Sequence, residues 1–300
     1  MNRVAQHPVR GFLAALAAVA VLSVMDAVMK HLVLVIGIVA VSVWRSATNL
    51  AISSAIYLPR RLRWPDRKTL LVHITRGADV TVMAALFFWG IGRVPLAQSI
   101  ALTFIAPLIA MLLAALFLDE RIGRRSIFGS MVAFGGVVII VVGQAQANVG
   151  SGVLLGIAAI IGSALCYAAN IVLMRRQALA AKPLEINFFQ SLTVMVLWLL
   201  AIPIAGLPAW PDGQWTWIVV ASVLSTAGTL LFAWAYARGP ASYLAATEYS
   251  AFLWASLMGW LVFHEPVSIF TLAGAILIVG GCLIAARGRR SDPPEIDVAA

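Results

Sequence analysis

Ionisable side chains inside long apolar stretches are the residues of this sequence whose type and position could do chemistry. A charged group within lipid is costly, so its presence points to a ligand site, a gate or a proton path. Six such residues stand out, namely Asp26, Lys30, Arg45, Arg76, Asp79 and Glu248. We interpret these six residues as candidates for substrate binding or gating.

The six residues divide into two clusters by depth. The helical rise of ~1.5 Å per residue places three in the outer half of the membrane and three in the inner half, in the orientation argued below. The outer cluster comprises Asp26, Lys30 and Arg45, and the inner cluster comprises Arg76, Asp79 and Glu248. We predict that both clusters border one central cavity, as alternating ionic gates or as ligands for a charged substrate. Alternatively, the arginines pair with nearby carboxylates or backbone, or the inner arginine extends to the headgroups, and their role is structural.

Aromatic side chains form a second class of candidates. A ring in the interior of an apolar stretch can stack on a planar or cationic ligand. Five rings lie within or near such interiors, namely Trp44, Trp89, Trp234, Tyr249 and Trp254. Core packing is the alternative for Trp89 and Trp234. Interfacial anchoring is predicted for the rings at stretch ends, namely Trp64, Trp210, Trp215 and Trp217. A solvated or interfacial position is predicted for the four histidines, His7, His31, His73 and His264.

The stretches that carry these residues are too apolar for a water-soluble protein. Of 300 residues, 62% are hydrophobic and 11% are charged, and the mean hydropathy is +0.97, whereas soluble domains carry about 25% charged residues. An apolar helix of about 20 residues crosses the hydrocarbon layer. Ten predicted spans lie near 12–34, 37–58, 70–91, 95–117, 126–143, 153–174, 186–206, 216–237, 242–263 and 267–286. We therefore predict an all-α integral membrane protein.

The basic residues orient these spans. With the N-terminus in the cytoplasm, 17 of the 21 Lys and Arg residues fall on the cytoplasmic side, as the positive-inside rule requires. We predict that both termini are cytoplasmic and that residues 291–300 form a short cytoplasmic tail. The net charge of +9 thus has a topological cause, and nucleic acid binding is not implied. If the first apolar run were instead a cleaved signal peptide, nine spans would remain.

The sequence contains an internal duplication. A shift of 145 positions aligns residues 86–142 with 231–287 without a gap, and the starts of the two halves align at a shift of 141. Matched pairs include Trp89 with Trp234, Pro95 with Pro240, Glu120 with Glu265, and Gly136 with Gly281. The halves, 1–145 and 150–290, hold five spans each, and this odd number inverts the second copy in the membrane. Inverted repeats are typical of secondary transporters, whose substrate site lies at the repeat interface near the midplane.

The shift of 141 also relates the sixth span to the first. It aligns Tyr167 with Asp26 and Asn170 with Met29. We therefore predict a cavity with one acidic wall and one neutral polar wall, which suits a polar ligand better than a purely apolar one.

Motifs at the end of each half carry a family resemblance. The pattern Pro-Leu-Ala, Ala-Pro-Leu, Leu-Asp-Glu-Arg and Gly-Gly runs from Pro95 to Gly136, and a weaker form runs from Pro240 to Gly281. The chain resembles the EamA family of the drug/metabolite transporter superfamily over nearly its whole length. That family moves amino acids, sugars, nucleotide-like metabolites, vitamins and drugs. The strings Met25 to Lys30, Arg76-Gly77 and Glu248-Tyr249 further resemble a branch that includes uptake proteins for S-adenosylmethionine and riboflavin.

These observations together predict a secondary transporter of the inner membrane rather than an enzyme. The resemblance favours uptake of a vitamin- or nucleoside-like compound, and export of amino acids or related metabolites is the alternative. An intramembrane prenyl or lipid transferase is a remote alternative, because its clustered metal-binding acids are missing from the sequence. No Walker loop, cofactor motif or metal-ligand spacing is present. A proton or ion gradient is a candidate energy source, and a homodimer is allowed but not required.

Overall fold

The computed structural model describes residues 8–60, 64–106, 109, 124–146, 151–181, 183–236 and 247–287. Within these ranges the regular elements are helical, as the sequence predicted, and no strand occurs. The α-helices are α1 (Pro8–Tyr57), α2 (Arg67–Ile91), α3 (Leu96–Thr103), α4 (Arg124–Gln146), α5 (Ser151–Ala180), α6 (Pro183–Ala205), α7 (Trp215–Tyr236), α8 (Ala251–Phe263) and α9 (Ile269–Arg287). A short 3-10 turn, Leu58–Arg60, follows α1.

Several of these helices are long and apolar enough to cross a membrane. Five segments meet this description, namely Arg10–Tyr57, Arg67–Ile91, Gly152–Asn170, Leu184–Ala205 and Trp215–Phe232. Three shorter apolar helices are Ile127–Gly143, Ala251–Phe263 and Ile269–Gly281. Large apolar side chains on the outside of the bundle, such as Leu200 and Ile204, suit contact with lipid. Ten membrane crossings stay a prediction.

Helix α1 covers two of the predicted spans, 12–34 and 37–58, and its helical backbone is interrupted between them at Gly37. This residue has φ 79° and ψ 161°, a backbone region that is essentially restricted to glycine. On a straight helix Asp26 and Arg45 would be about 28 Å apart, yet their charges interact. The chain therefore reverses direction at Gly37, and the two arms of α1 form a helical hairpin.

Helices α4 and α9 occupy equivalent positions in the two repeats and form the largest helix-helix contact of the described residues. A Cβ atom added to Gly136 would lie 2.6 Å from the carbonyl oxygen of Gly274, and one added to Gly281 would meet the carbonyl oxygen of Gly129. The shift of 145 converts the first contact into the second. The contacts run in opposite order along the two helices, so α4 and α9 pack antiparallel about a local twofold axis.

A second pair of contacts obeys the same relation between the halves. Helix α2 packs on α5, where Gly90 and Gly156 lie so close together that a Cβ atom added to either would overlap atoms of the facing segment. Helix α7 packs on α1, where Ala235 and Ala15 are fully buried together. Shifts of 145 and 141 convert the first pair of residues into the second. The local twofold therefore extends beyond α4 and α9 to the outer helices.

The predicted span 95–117 is interrupted where α3 ends at Thr103, and helical backbone resumes at residues 106 and 109. Residues 107, 108 and 110–117 lie outside the described part of the chain. Residues 104 and 105 form a turn with i to i+3 hydrogen bonds, from Phe104 N to Ala101 O at 3.2 Å and from Ile105 N to Leu102 O at 3.3 Å. Residues 249 and 250 form a turn just before α8. These are the equivalent positions of the second repeat. Both repeats thus interrupt the same helix at the same place.

Candidate functional site

The two helix interruptions meet on the local twofold axis. The ring of Phe104 contacts the ring of Tyr249 edge to face, with centroids 5.3 Å apart. These residues are equivalent under the shift of 145, so the axis passes between them. Interrupted helices free backbone groups for ligands and, in repeat transporters, they mark the substrate site at the repeat interface. The predicted charged and polar residues are therefore candidates for a substrate site beside this axis.

Lys30 lies in a polar contact that we call the outer latch, formed by Lys30, Val94, Leu96 and Glu265. Its amine is almost completely buried, donates to the carbonyl oxygen of Val94 at 2.9 Å and pairs with Glu265. The second carboxylate oxygen of Glu265 accepts from the backbone N–H of Leu96 at 2.9 Å. This N–H belongs to the first turn of α3, where intrahelical partners are missing. The latch joins α1, the start of α3 and the segment before α9.

The other members of the predicted outer cluster lie apart from this latch. Arg45 is the charge that acts on Asp26, and its guanidinium lies over the ring of Phe88, 5.4 Å from the centroid. Lys30 makes its contacts with Glu265 and Val94 instead, so the predicted cluster of three is divided into two contacts. The buried Nε atom of Arg45 and Oδ1 of Asn49 make no hydrogen bond within the described residues. Both are therefore available to a ligand or to water.

The arginine of the predicted inner cluster belongs to a buried network of hydrogen bonds. The inner network comprises His73 and Arg76 of α2, Asn170 and Gln177 of α5, and Glu185 of α6. Arg76 donates from Nε to Asn170 Oδ1 at 3.0 Å and from a terminal nitrogen to Gln177 Oε1 at 2.5 Å. Gln177 Nε2 lies 2.6 Å from His73 Nδ1, and His73 Nε2 lies 3.2 Å from Glu185 Oε1.

The burial of His73 corrects the sequence prediction that it is solvated or interfacial. Its side chain has no exposed surface and stacks on Phe189 with centroids 4.9 Å apart. Neither Gln177 nor Glu185 was a candidate, because both lie near span ends. The sequence did contain one signal for this network, the three-residue spacing of His73 and Arg76, which places both side chains on one face of a helix.

The two remaining charges of the inner cluster have different surroundings. Asp79 is under the influence of Arg76, and its Oδ2 is buried without a hydrogen-bond partner in the described part of the chain. Glu248 is half-buried and acts electrostatically on Tyr167 of α5. Of the predicted neutral polar wall on α5, Asn170 accepts a hydrogen bond from Arg76, and Tyr167 is under the electrostatic influence of Glu248.

The tryptophan candidates differ in their contacts. Trp44 lies 5.0 Å from Trp210 and 5.3 Å from Trp215, and its indole N–H donates to the carbonyl oxygen of Ala209 at 2.9 Å. Trp210 and Trp215, both predicted as interfacial anchors, thus form a cluster with Trp44. The Trp89 ring stacks with Arg93, whose guanidinium lies 3.5 Å from the centroid.

The last two tryptophan candidates differ in exposure. Trp234 is partly exposed on α7, and Trp254 is half-buried on α8.

Comparison with known proteins identifies the class to which this fold and site belong. The model of the EamA-like transporter family matches residues 9–142 and 154–287. The two matched segments cover most of the chain and correspond to its two repeats. The chain belongs to the EamA-like transporter family, which confirms the resemblance drawn from its motifs.

Individual relatives agree with this assignment. The chain is 26% identical over 289 residues to the pseudopaline exporter CntI of Pseudomonas aeruginosa strain UCBPP-PA14, covering 93% of this chain and 97% of the relative. It is 27% identical over 293 residues to a riboflavin transporter of Vibrio cholerae, covering 93% of both. A solved crystal structure superposes with a TM-score of 0.63 at 20% identity over 93% of this chain and 98% of the other, which shows a shared fold.

Proposed function

We propose that this protein is a secondary transporter of the inner membrane that moves a small polar or aromatic metabolite by alternating access. The single observation that carries the proposal is the contact of Phe104 with Tyr249 on the local twofold axis, at the interruption of both equivalent helices. Glu248, the neighbour of Tyr249 in the sequence, acts electrostatically on Tyr167 of α5. In this proposal, residues 1–145 and 150–290 are inverted five-span repeats with both termini in the cytoplasm.

The proposed cargo is a vitamin- or nucleoside-like compound taken up by the cell, with riboflavin and S-adenosylmethionine as examples. One relative is named a riboflavin transporter, and the aromatic rings near the axis suit a planar ligand. Arg45 and Asp79 both carry buried polar atoms without a hydrogen-bond partner in the described residues. These atoms can bind the polar substituents of such a ligand. We further propose that a proton or ion gradient drives the movement.

Export of an amino acid or a related metabolite is a second candidate. The specific observation that favours it is the presence of two pairs of opposite charges, Asp26 with Arg45 and Arg76 with Asp79. Such pairs match a ligand that carries both amino and carboxylate groups. A relative named as an exporter supports this direction.

Growth of suitable bacterial strains distinguishes the two candidates. Expression should rescue a riboflavin auxotroph at limiting riboflavin if the protein is an importer, and it should protect against toxic amino acid analogues if it is an exporter. Arg45→Gln should abolish whichever effect is seen, because it removes a cation of the site. The matched control is Arg67→Gln, at an exposed position in the first turn of α2. Equal loss in both variants, or activity retained in Arg45→Gln, would contradict the site assignment.

A further inference from the structure

The hydrogen bonds of the inner network have a fixed direction. A guanidinium only donates, so the oxygen of Gln177 must be the atom that faces Arg76. The amino group of Gln177 then faces Nδ1 of His73 and donates to it, which leaves no proton on Nδ1. The ring proton therefore lies on Nε2 and is donated to the carboxylate of Glu185. One neutral tautomer of His73 satisfies all of these contacts.

The surroundings of His73 leave few ways to accommodate a second proton. Among the described side chains, the charged groups that face it are Glu185 of α6 and, beyond Gln177, Arg76 of its own helix. Helix α5 presents the neutral Gln177, which is completely buried, and α6 also presents the stacked ring of Phe189. Glu185 retains 19% exposure of its side chain and is the point where the network approaches solvent.

Protonation of Nδ1 would place two donors against each other, the new N–H of His73 and the amino group of Gln177. Rotating the Gln177 amide by half a turn removes this conflict and creates the same conflict at Arg76. The guanidinium of Arg76 must then leave Gln177. Asp79 lies one turn further along α2 and has a buried oxygen without a hydrogen-bond partner in the described residues, so it is the available acceptor.

We propose that His73 is the proton-coupling residue of this transporter. A proton from water that binds Nδ1 turns the amide of Gln177 and transfers Arg76 from α5 to Asp79. The reverse motion returns the same proton to water. Protonation thereby loosens the contact between α2 and α5 beside the candidate site. His73 acts through Gln177 and Arg76 and is a positioning residue, and its role in transport rests on the proposed function.

The first test needs no substrate and uses the full-length protein in lipid nanodiscs, labelled with nitrogen-15 at histidine and arginine. The spectrum should show His73 as the neutral Nε2–H tautomer. On acidification, the Nε signal of Arg76, identified by its loss in Arg76→Lys, should shift with the same midpoint as His73. In Gln177→Met, which keeps the volume and removes the link, the arginine signal should no longer follow the histidine. The control His31→Gln, outside the network, should leave both signals unchanged.

An Nδ1–H tautomer, or a titration of His73 that leaves the Arg76 signal unmoved, would overturn the proposal. A second test follows riboflavin in proteoliposomes with and without a pH gradient. With one proton per substrate, a gradient of one pH unit supports up to about tenfold accumulation. His73→Gln should abolish this accumulation while exchange of internal for external riboflavin persists, and accumulation retained in the variant would contradict coupling. If the wild type moves no riboflavin, that cargo is wrong, and the spectroscopic test still decides the role of His73.

Discussion

At the scale of single residues, Lys30 shows how a buried cation is stabilised by groups distant in sequence. Its side chain is 4% exposed, and its partners are the carboxylate of Glu265 and the carbonyl oxygen of Val94. The ring of Phe263 lies 5.1 Å from the amine and adds a cation-π contact. The pair contributes stability only while both partners are present, because removing one leaves an unmatched charge.

The first prediction compares the two partners of the outer latch. Glu265→Ala should lower the free energy of unfolding by about 3 kcal/mol, because it leaves the buried amine of Lys30 without its carboxylate partner and removes the acceptor for the backbone N–H of Leu96. Lys30→Met should cost less, since Glu265 keeps its bond to the start of α3. Unfolding of the detergent-solubilised protein with increasing denaturant measures both. The double variant should be no worse than Glu265→Ala alone, and strictly additive losses would show that the pair does not interact.

Asp66 gives a prediction outside the membrane-spanning segments. It caps α2 by accepting a hydrogen bond from Thr69 N at 2.9 Å, and its hydrogen bonds with Thr69 hold the pKa of its carboxyl below the ordinary value. A lowered pKa means that the cap stabilises the fold at neutral pH and that this stability is lost as pH falls through the lowered pKa.

Thermal unfolding followed from neutral pH to below about pH 4 should therefore show a component that depends on Asp66. Asp66→Asn keeps a side-chain acceptor and should lose that component while remaining close to the wild type at neutral pH. Asp66→Ala should be less stable at neutral pH. An unchanged acid profile in both variants would contradict the role of the cap. The exposed Asp212 supplies the control substitution, Asp212→Asn.

At the scale of elements, adjacent glycines in α4 and α9 have opposite surroundings. An added Cβ atom at Gly136 would meet the backbone of α9, whereas nothing lies within 4 Å of one added at Gly135. The same contrast separates Gly281 from Gly280. Close backbone approach through small residues is what holds helices together in lipid.

The glycine contrast predicts that Gly136→Ala and Gly281→Ala each destabilise the protein by roughly 1–3 kcal/mol through overpacking. Gly135→Ala and Gly280→Ala should be neutral or stabilising by about 0.5–1 kcal/mol, because alanine is the better helix former. Unfolding of the four variants under identical conditions is the measurement. If the pairs behave alike, α4 and α9 do not pack as described.

The helices themselves were predictable because a membrane restricts the chain to apolar helices with short connections. Gly37 lies at the boundary predicted between the spans 12–34 and 37–58, because two successive membrane crossings require a short connection between them. The interruption near Phe104 had a signal in Pro107, because a proline inside a helix removes a backbone donor and clashes with the preceding turn. The interruption near Tyr249 had no such signal, since Phe252 stands at the position equivalent to Pro107. Lys30 was assigned to Asp26 by their spacing along one helix, but its long side chain reaches Glu265, 235 positions away. Contacts of that range depend on the packed fold.

At the scale of the whole molecule, the twofold relation determines which contacts can change during transport. In an inverted-repeat transporter, the second state arises when the two halves exchange conformations. A contact between two residues then becomes the contact between their equivalents. The pair Phe104 and Tyr249 is converted into itself, so it should persist in both states. The outer latch has no such counterpart, because the residue equivalent to Lys30 in the second repeat is Ile171, which carries no charge. The latch should therefore open when the halves exchange conformations.

The twofold relation predicts opposite effects of two crosslinks, each built in a background of Cys166→Ser and Cys282→Ala. A reducible crosslinker that joins Phe104→Cys to Tyr249→Cys should leave flux of the identified substrate near its uncrosslinked level, since the axis contact does not have to break. A crosslink that joins Lys30→Cys to Glu265→Cys should stop flux until a reductant is added, because the latch is held closed. Flux measured before and after reduction of the same proteoliposomes separates blockage from misfolding. A reversible block by the axis crosslink would show that the halves do not exchange conformations about this axis.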